Sequence, residues 1–240
     1  MHSPFVFDFI LNVLNNKSNY QPPAEIEDVR RRLLKDKRII KIEEMGAGSR
    51  TSSSKQRAIS QVARAALKSK RLAQVLFRLV KHYQASTIIE LGTSLGITTC
   101  YLSKANPAAS IITIEGNLPT AACAKENFQK LNCENIQVQQ GNFDNVLPHL
   151  LSQVPNIDLA YIDGNHRYQP TINYFHQFLS KSHNQTILVF DDIHWSAEME
   201  KAWEEIQSHP SVQYTVDIFF LGFVFFRKDF KVKQNFSIRF

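Results

Sequence analysis

The stretch Ile88-Ile89-Glu90-Leu91-Gly92-Thr93-Ser94-Leu95-Gly96-Ile97-Thr98-Thr99 runs from an apolar strand pattern, through a turn bearing two glycines, into a helical pattern. The strand part, Thr87–Leu91, is the first of five short apolar runs; the others are Ile111–Ile114, Ile136–Gln140, Ile157–Ile162 and Thr186–Phe190. Roughly 20 residues separate successive runs, enough for the crossover helix that joins parallel strands. Runs that are continuously apolar, rather than alternating, mark strands covered on both faces. The pattern is that of a doubly wound α/β sheet. Downstream, Met199, Ala202, Trp203 and Ile206 share one helical face. Val212–Leu221 and Phe223–Arg227 then meet around Leu221-Gly222 with no room for a helix, which predicts an antiparallel hairpin. The expected sheet is seven-stranded and mostly parallel, with that hairpin at its end.

Upstream of Ser86 the chain reads differently. Phe5, Phe9 and Val13 lie at helical spacing, Asn15 to Asn19 and Pro22-Pro23 interrupt the pattern, and a second helix is expected from Ala24 through Arg30-Arg31-Arg32. Gly46 to Ser54 has the composition of a loop. Leu72, Val75, Leu76, Leu79 and Val80 then form one apolar helical stripe. Two units follow: a helical, basic N-terminal extension or cap over residues 1–70 and an α/β domain over 71–240. Residues 1–80 hold 16 Lys and Arg against 7 Asp and Glu, a net +9, whereas residues 81–240 hold 12 against 15, a net −3. Such asymmetry suits either an anionic partner or solvated helix faces. No apolar run reaches the roughly 20 residues of a membrane span. The partly apolar start, with Asp8 and no basic leader, does not read as a signal peptide. Cys100, Cys123 and Cys133 lack CxxC spacing and fit the reducing cytoplasm.

Five motifs sit where strands end, the place where open α/β sheets bind ligands. In the first, Gly92 and Gly96 allow close approach of backbone to a ligand, with Thr93 and Ser94 between them. The carboxylate of Glu90 repels a pyrophosphate but suits a cationic ligand, and the GxxxG spacing departs from the GxGxxG of dinucleotide sites. In the second, Glu115-Gly116 lies 23 residues after Gly92, the distance at which an acidic residue accepts ribose hydroxyls. The third is Gly141-Asn142-Phe143-Asp144. Phe143 could lie against an adenine and Asn142 or Asp144 could read its edge, while either polar residue could equally cap a helix. The fourth, Asp163-Gly164-Asn165-His166, pairs a carboxylate with a candidate general base. The fifth is Asp191-Asp192-Ile193-His194-Trp195. With Asp163 its two carboxylates could hold one hard divalent ion. The alternative is that Asp163 serves a ligand ammonium, Asp191 is capped by backbone N–H groups and Asp192 faces solvent.

In this order the motifs, from Ser86 to Arg227, resemble class I S-adenosylmethionine-dependent methyltransferases. Among these they resemble the O-methyltransferase group of the catechol and caffeoyl-coenzyme A enzymes. The resemblance implies a Rossmann-like fold, S-adenosylmethionine as cofactor, and contacts to it from Glu90, Gly92, Ser94, Glu115 and Asp163. That group holds a metal, Mg²⁺ being typical, with an Asp after strand four and an Asp-Asn pair after strand five. The corresponding residues here are Asp163, Asp191 and Asp192, with Asp in place of Asn. The group's catalytic lysine falls at His166. The expected protein is a cytoplasmic enzyme that methylates the hydroxyl of a small molecule, with a homodimer left open as its assembly. By analogy, His2, Phe5, Arg50 or Ser52 would reach the acceptor pocket. The competing readings are a nucleic-acid methyltransferase that uses the basic segment and a cofactor-binding protein without turnover. The first of these is disfavoured, because no base-methylation motif or RNA-binding module is present.

Overall fold

A computed structural model describes residues 3–16, 21–42 and 56–240. The elements in chain order begin with α1 (Pro4–Phe9), continued by a π-helical turn over Ile10–Leu14, then α2 (Ala24–Leu33), β1 (Ile39–Lys41), β2 (Gln56–Ala58), α3 (Ile59–Ala66) and α4 (Lys70–Tyr83). The alternating part comprises β3 (Thr87–Leu91), α5 (Ile97–Ala105), β4 (Ser110–Glu115), α6 (Leu118–Lys130), β5 (Ile136–Gln140) and α7 (Phe143–Gln153). It continues through β6 (Ile157–Ile162), α8 (Tyr168–Leu179), β7 (Ser182–Asp191) and α9 (Ala197–Ser208). The chain closes with β8 (Tyr214–Asp217), β9 (Leu221–Phe225) and β10 (Gln234–Ser237).

The main sheet has the order β10-β8-β9-β7-β6-β3-β4-β5. Strands β3 to β7 are parallel, β9 runs antiparallel between β7 and β8, and the expected hairpin is present. The sheet has eight strands rather than the expected seven, because β10 adds parallel to β8. Gln234-Asn235-Phe236-Ser237 is polar and largely exposed, as an edge strand can be, so it carries no apolar signal in the sequence. The chain leaves β3 toward β4 and later returns to its other side with β6, which makes the β3/β6 junction the switch point of the sheet.

The N-terminal segment contains a short antiparallel pair, β1 with β2, in addition to the expected helices. Its core is continuous with that of the sheet, since Val6, Phe9, Val13 and Ile26 share one buried cluster with Leu76, Val189 and Phe223. The expected stripe of α4 is fully used: Leu72, Val75, Leu76, Leu79 and Val80 are all buried. Arg78, on the same helix and also buried, donates to the carbonyls of Val13 (2.5 Å) and Leu14 (3.0 Å), satisfying the open end of the π-helical turn. Phe5 corrects its expected role. It packs edge-on against Phe225 (4.8 Å) and Phe230 (4.9 Å), and Phe225 pairs with Ile187, at the far end of the β7–β9 ladder from Asp191. The other residues proposed for the acceptor pocket, His2, Arg50 and Ser52, and the Gly46–Ser54 loop, lie outside the described residues. Among the described residues, no helix is long and apolar enough to cross a membrane.

Candidate active site

The register of the sheet brings the motifs to one edge. Leu91 pairs with Ile114 and Ile162, Ile162 with Phe190, and Glu115 with Gln140. The residues that follow, Gly92, Gly116, Gly141, Asp163 and Asp191, therefore share the carboxyl end of the sheet. Gly92 has φ +99°, and a Cβ there would stand 2.0 Å from the carbonyl oxygen of Asp163. Only glycine lets β3 turn so close to β6.

Glu90 is wholly buried. Its Oε2 accepts from the hydroxyls of Thr99 (2.5 Å) and Thr113 (2.6 Å), whereas Oε1 has no partner. Burial pushes its pKa up to about 8; the threonine bonds oppose this, and the charges of Asp163 and Glu115 add to it. Folded Glu90 keeps its proton through pH values at which the unfolded chain, with the ordinary value of 4.5, has released it. Stability from this group is therefore full in acid and falls as pH rises toward 8. Between pH 6 and 8 the wild-type chain is expected to lose about 2 kcal/mol from Glu90 alone. Glu90→Gln should remove that share of the slope in urea denaturation at the two pH values, and an identical slope in both proteins would count against it.

Glu115 is oriented by backbone: Oε2 accepts from Ser94 N (2.8 Å) and Oε1 from Asn117 N (2.9 Å). Burial raises its pKa against these bonds. A carboxylate can accept about four hydrogen bonds, so capacity remains for a ligand. Thr93 and Gly96 face the interior. Thr93 Oγ1 lies 2.6 Å from Thr113 Oγ1, and a Cβ at Gly96 would meet the Phe128 ring at 2.5 Å, so Gly96 serves the packing of α5 on α6. In the third motif Asn142 caps α7, accepting from Asp144 N (2.8 Å), and Asp144 accepts from the Tyr174 hydroxyl (2.9 Å). Phe143 is half-buried and lies against Gly164, where a Cβ would meet its ring at 2.4 Å.

The acidic cluster holds a residue that sequence reasoning missed. Lys68, in the short link between α3 and α4, inserts its ammonium beside Asp191 Oδ2, within 3.8 Å of Asp192 Oδ1. Asp163 is engaged at both oxygens: Oδ1 lies 3.4 Å from His166 Nε2, and Oδ2 accepts from the Tyr161 hydroxyl (3.1 Å). Burial opposes ionisation of Asp163, but the Lys68 charge and His166 outweigh it and hold its carboxyl below the ordinary range. Burial and the neighbouring Asp163 push Asp191 up, and its Oδ1 has no partner. Burial disfavours the Lys68 ammonium, yet the three carboxylates overcome this and hold it protonated. Asn165 (φ 68°) and His166 (φ 31°) are both left-handed, a costly turn of the kind found at functional sites, and it leaves the imidazole beside Asp163.

The expected metal set changes accordingly. Among the described residues the ligand-type atoms that converge within 4.8 Å belong to Asp163, His166 and Asp191, not to Asp192. Asp191 is met by a lysine side chain where backbone N–H groups were the alternative. With an ammonium already beside Asp191 and both oxygens of Asp163 engaged, the donor set does not fit a divalent ion. The S-adenosylmethionine site does fit its ligand: a glycine cradle and the oriented carboxylate of Glu115 suit a cationic nucleoside, and buried Glu90 beneath them keeps one oxygen without a partner.

Residues 89–193 match the family model described as a methyltransferase domain, a stretch that runs from inside β3 to just past β7. That stretch is therefore similar to a methyltransferase domain. A curated relative, a catechol O-methyltransferase of Niastella koreensis, is 29% identical to it over 133 residues. The match covers 54% of this chain and 58% of that protein, so the chain spans less than two thirds of its relative. SAH-bound PaMTH1, a methyltransferase of Podospora anserina, superposes with a TM-score of 0.65 at 13% identity over 95% of this chain and 98% of its own. An O-methyltransferase of Bacillus cereus in complex with SAH does so at 0.60 and 18% identity, over 92% and 97%. At such identities the likeness is one of fold. The chain thus shares the α/β fold of these structures.

Proposed function

We propose that this chain is an S-adenosylmethionine-dependent methyltransferase acting on a hydroxyl group of a small molecule. The observation that carries the reading is the alignment of Glu90, Gly92, Glu115 and Asp163 along one end of the sheet, beside the Asp163–His166 pair. Glu115 receives the ribose hydroxyls, and Phe143 borders the adenine. Asn142 and Asp144 are occupied by helix capping and by Tyr174, so reading of the base edge falls to backbone groups near them. When bound, S-adenosylmethionine supplies a methyl group on a sulfonium, which leaves as a neutral thioether. His166 takes the proton of the acceptor hydroxyl, and Asp163 holds the resulting imidazolium.

Trp195, Phe219 and Phe220 are exposed around Asp192, and Phe219 stacks on His194 at 5.3 Å. Phe220 O accepts from Asp192 N (2.7 Å), which ties this aromatic rim to the site and favours an acceptor with a flat, apolar body. The basic segment supports a small-molecule reading over a nucleic acid. Arg30 is buried against Glu27, Arg31 pairs with Asp28, and Arg38 pairs with Asp36 and Glu126. The cytoplasm is the compartment this reading takes, supported by three free, buried cysteines.

Calorimetry with S-adenosylhomocysteine tests the cofactor site. Two bonds to a carboxylate are at stake in Glu115→Ala, so its affinity should fall by at least ~30-fold. Equal affinities in wild type and variant would end the assignment. A radiolabelled methyl-transfer assay against phenolic and aliphatic alcohols then identifies the acceptor.

A further inference from the structure

The structure assigns Lys68 the place of a divalent cation in the acceptor site: a tethered ammonium that makes the site work without a metal ion. The inference rests on the methyltransferase reading for its catalytic meaning, but its geometry stands alone. Three carboxylates, Asp163, Asp191 and Asp192, gather at the ends of β6 and β7. Such a group demands positive charge, and a divalent ion is one way to supply it. Here Lys68 supplies it instead, paired with Asp191 and 3.8 Å from Asp192, while His166 faces Asp163.

The placement is built from the backbone up. The Lys68 carbonyl accepts from Arg30 Nη1 at 2.6 Å. Arg30 is itself buried, with its Nε on Glu27 Oε1 (2.9 Å), and the same Glu27 oxygen accepts from the Tyr101 hydroxyl (2.6 Å). Ser69, the next residue, caps α4 by accepting from Leu72 N (3.3 Å). The link between α3 and α4 is thus clamped on both sides of the lysine's side chain, which is only 13% exposed. An ordinary surface lysine is not held in this way. A divalent ion on Asp163 and Asp191 would have to lie against this fixed ammonium, or displace it from its pairing with Asp191. The ammonium offers an acceptor oxygen what a metal would offer, a positive charge and a direct hydrogen bond as the proton leaves for His166. It also selects differently: an ammonium donates single hydrogen bonds, whereas a metal chelates. The acceptor therefore needs one hydroxyl at this point rather than two adjacent ones.

Titration with Mn²⁺, followed by electron paramagnetic resonance, reads the site without any acceptor. Wild type should leave Mn²⁺ free at micromolar concentrations, and its methyl transfer should be unchanged by EDTA. Lys68→Met, which keeps the length of the side chain and removes its charge, should gain Mn²⁺ affinity by at least ~10-fold as the carboxylates are released. Lys68→Gln provides the same test if the methionine variant does not fold. Micromolar Mn²⁺ binding by the wild-type chain, or no gain in either folded variant, would overturn the inference. Calorimetry with S-adenosylhomocysteine on the same samples keeps the two ideas apart. Loss of that binding in wild type defeats the methyltransferase reading, whereas the Mn²⁺ titration judges Lys68 by itself.

Discussion

Gly92→Val is expected to abolish cofactor binding and to lower thermal stability measurably. Gly92 adopts φ +99°, and a Cβ there would stand 2.0 Å from the Asp163 carbonyl oxygen and 3.0 Å from its carbon. The obstacle is backbone, so no side chain can swing aside. The Gly92 amide donates to Ile114 O (3.0 Å) and the Asp163 amide to Leu91 O (2.9 Å), so β3, β4 and β6 are laced together at this point. A branched side chain must part them or force the turn into another conformation. The backbone strain alone costs about 1–3 kcal/mol. For a chain of this length each kcal/mol lowers Tm by roughly 2–4 °C, so a loss of several degrees is expected in calorimetry. Affinity for S-adenosylhomocysteine should drop by more than ~100-fold, since Asp163 and the cradle shift together. A folded variant that still bound it as tightly as wild type would show that the cofactor lies elsewhere.

Removing the imidazole in His166→Ala is expected to reduce kcat by about 10²–10⁴-fold, the usual contribution of a general base. Affinity for S-adenosylhomocysteine should stay within about 2-fold of wild type, because the ring faces Asp163 and not the glycine turn. The remaining rate should climb with pH as hydroxide replaces the missing base. The informative measurement is the pH profile of kcat, which should differ between the two proteins. Asp163→Asn offers no such clean comparison, since it also disturbs Tyr161 and the Lys68 charge balance. An alanine variant with the wild-type profile would pass the role of base to another group, Asp191 being the nearest carboxyl with an unpartnered oxygen.

The elements that could be read in advance were those whose signals are local. The ends of β3 and β6 fall where the apolar runs end, because a strand covered on both faces is largely apolar along its length. The stripe of α4 was legible because five apolar residues at helical spacing have only one economical way to be buried. Asn142 could have been placed either on a ligand or on a helix end. It caps α7, since an unpaired amide in the first helical turn is always present whereas a ligand is not. Thr93 and Gly96 look like ligand contacts by position but are turned inward by Thr113 and Phe128.

The sequence by itself determined the doubly wound order, the ends of the strands and therefore the edge at which Glu90, Gly92, Glu115, Asp163 and Asp191 stand. Periodicity and strand length are properties of neighbours along the chain, and parallel pairing turns them into a common edge. Only the tertiary structure decided what neutralises the acidic cluster. Lys68 and Asp191 are 123 positions apart, and Leu67-Lys68-Ser69 differs in no local way from other basic links in the first 80 residues. The lysine is brought in by the packing of α2 against α3 and α5 and by Arg30 gripping its carbonyl, contacts that no spacing encodes. The same holds for β10, a polar strand that exists because β8 left an edge open for it. Charge compensation in a buried site is a sum over everything folded around it, so its answer is settled by the fold and not by the motif.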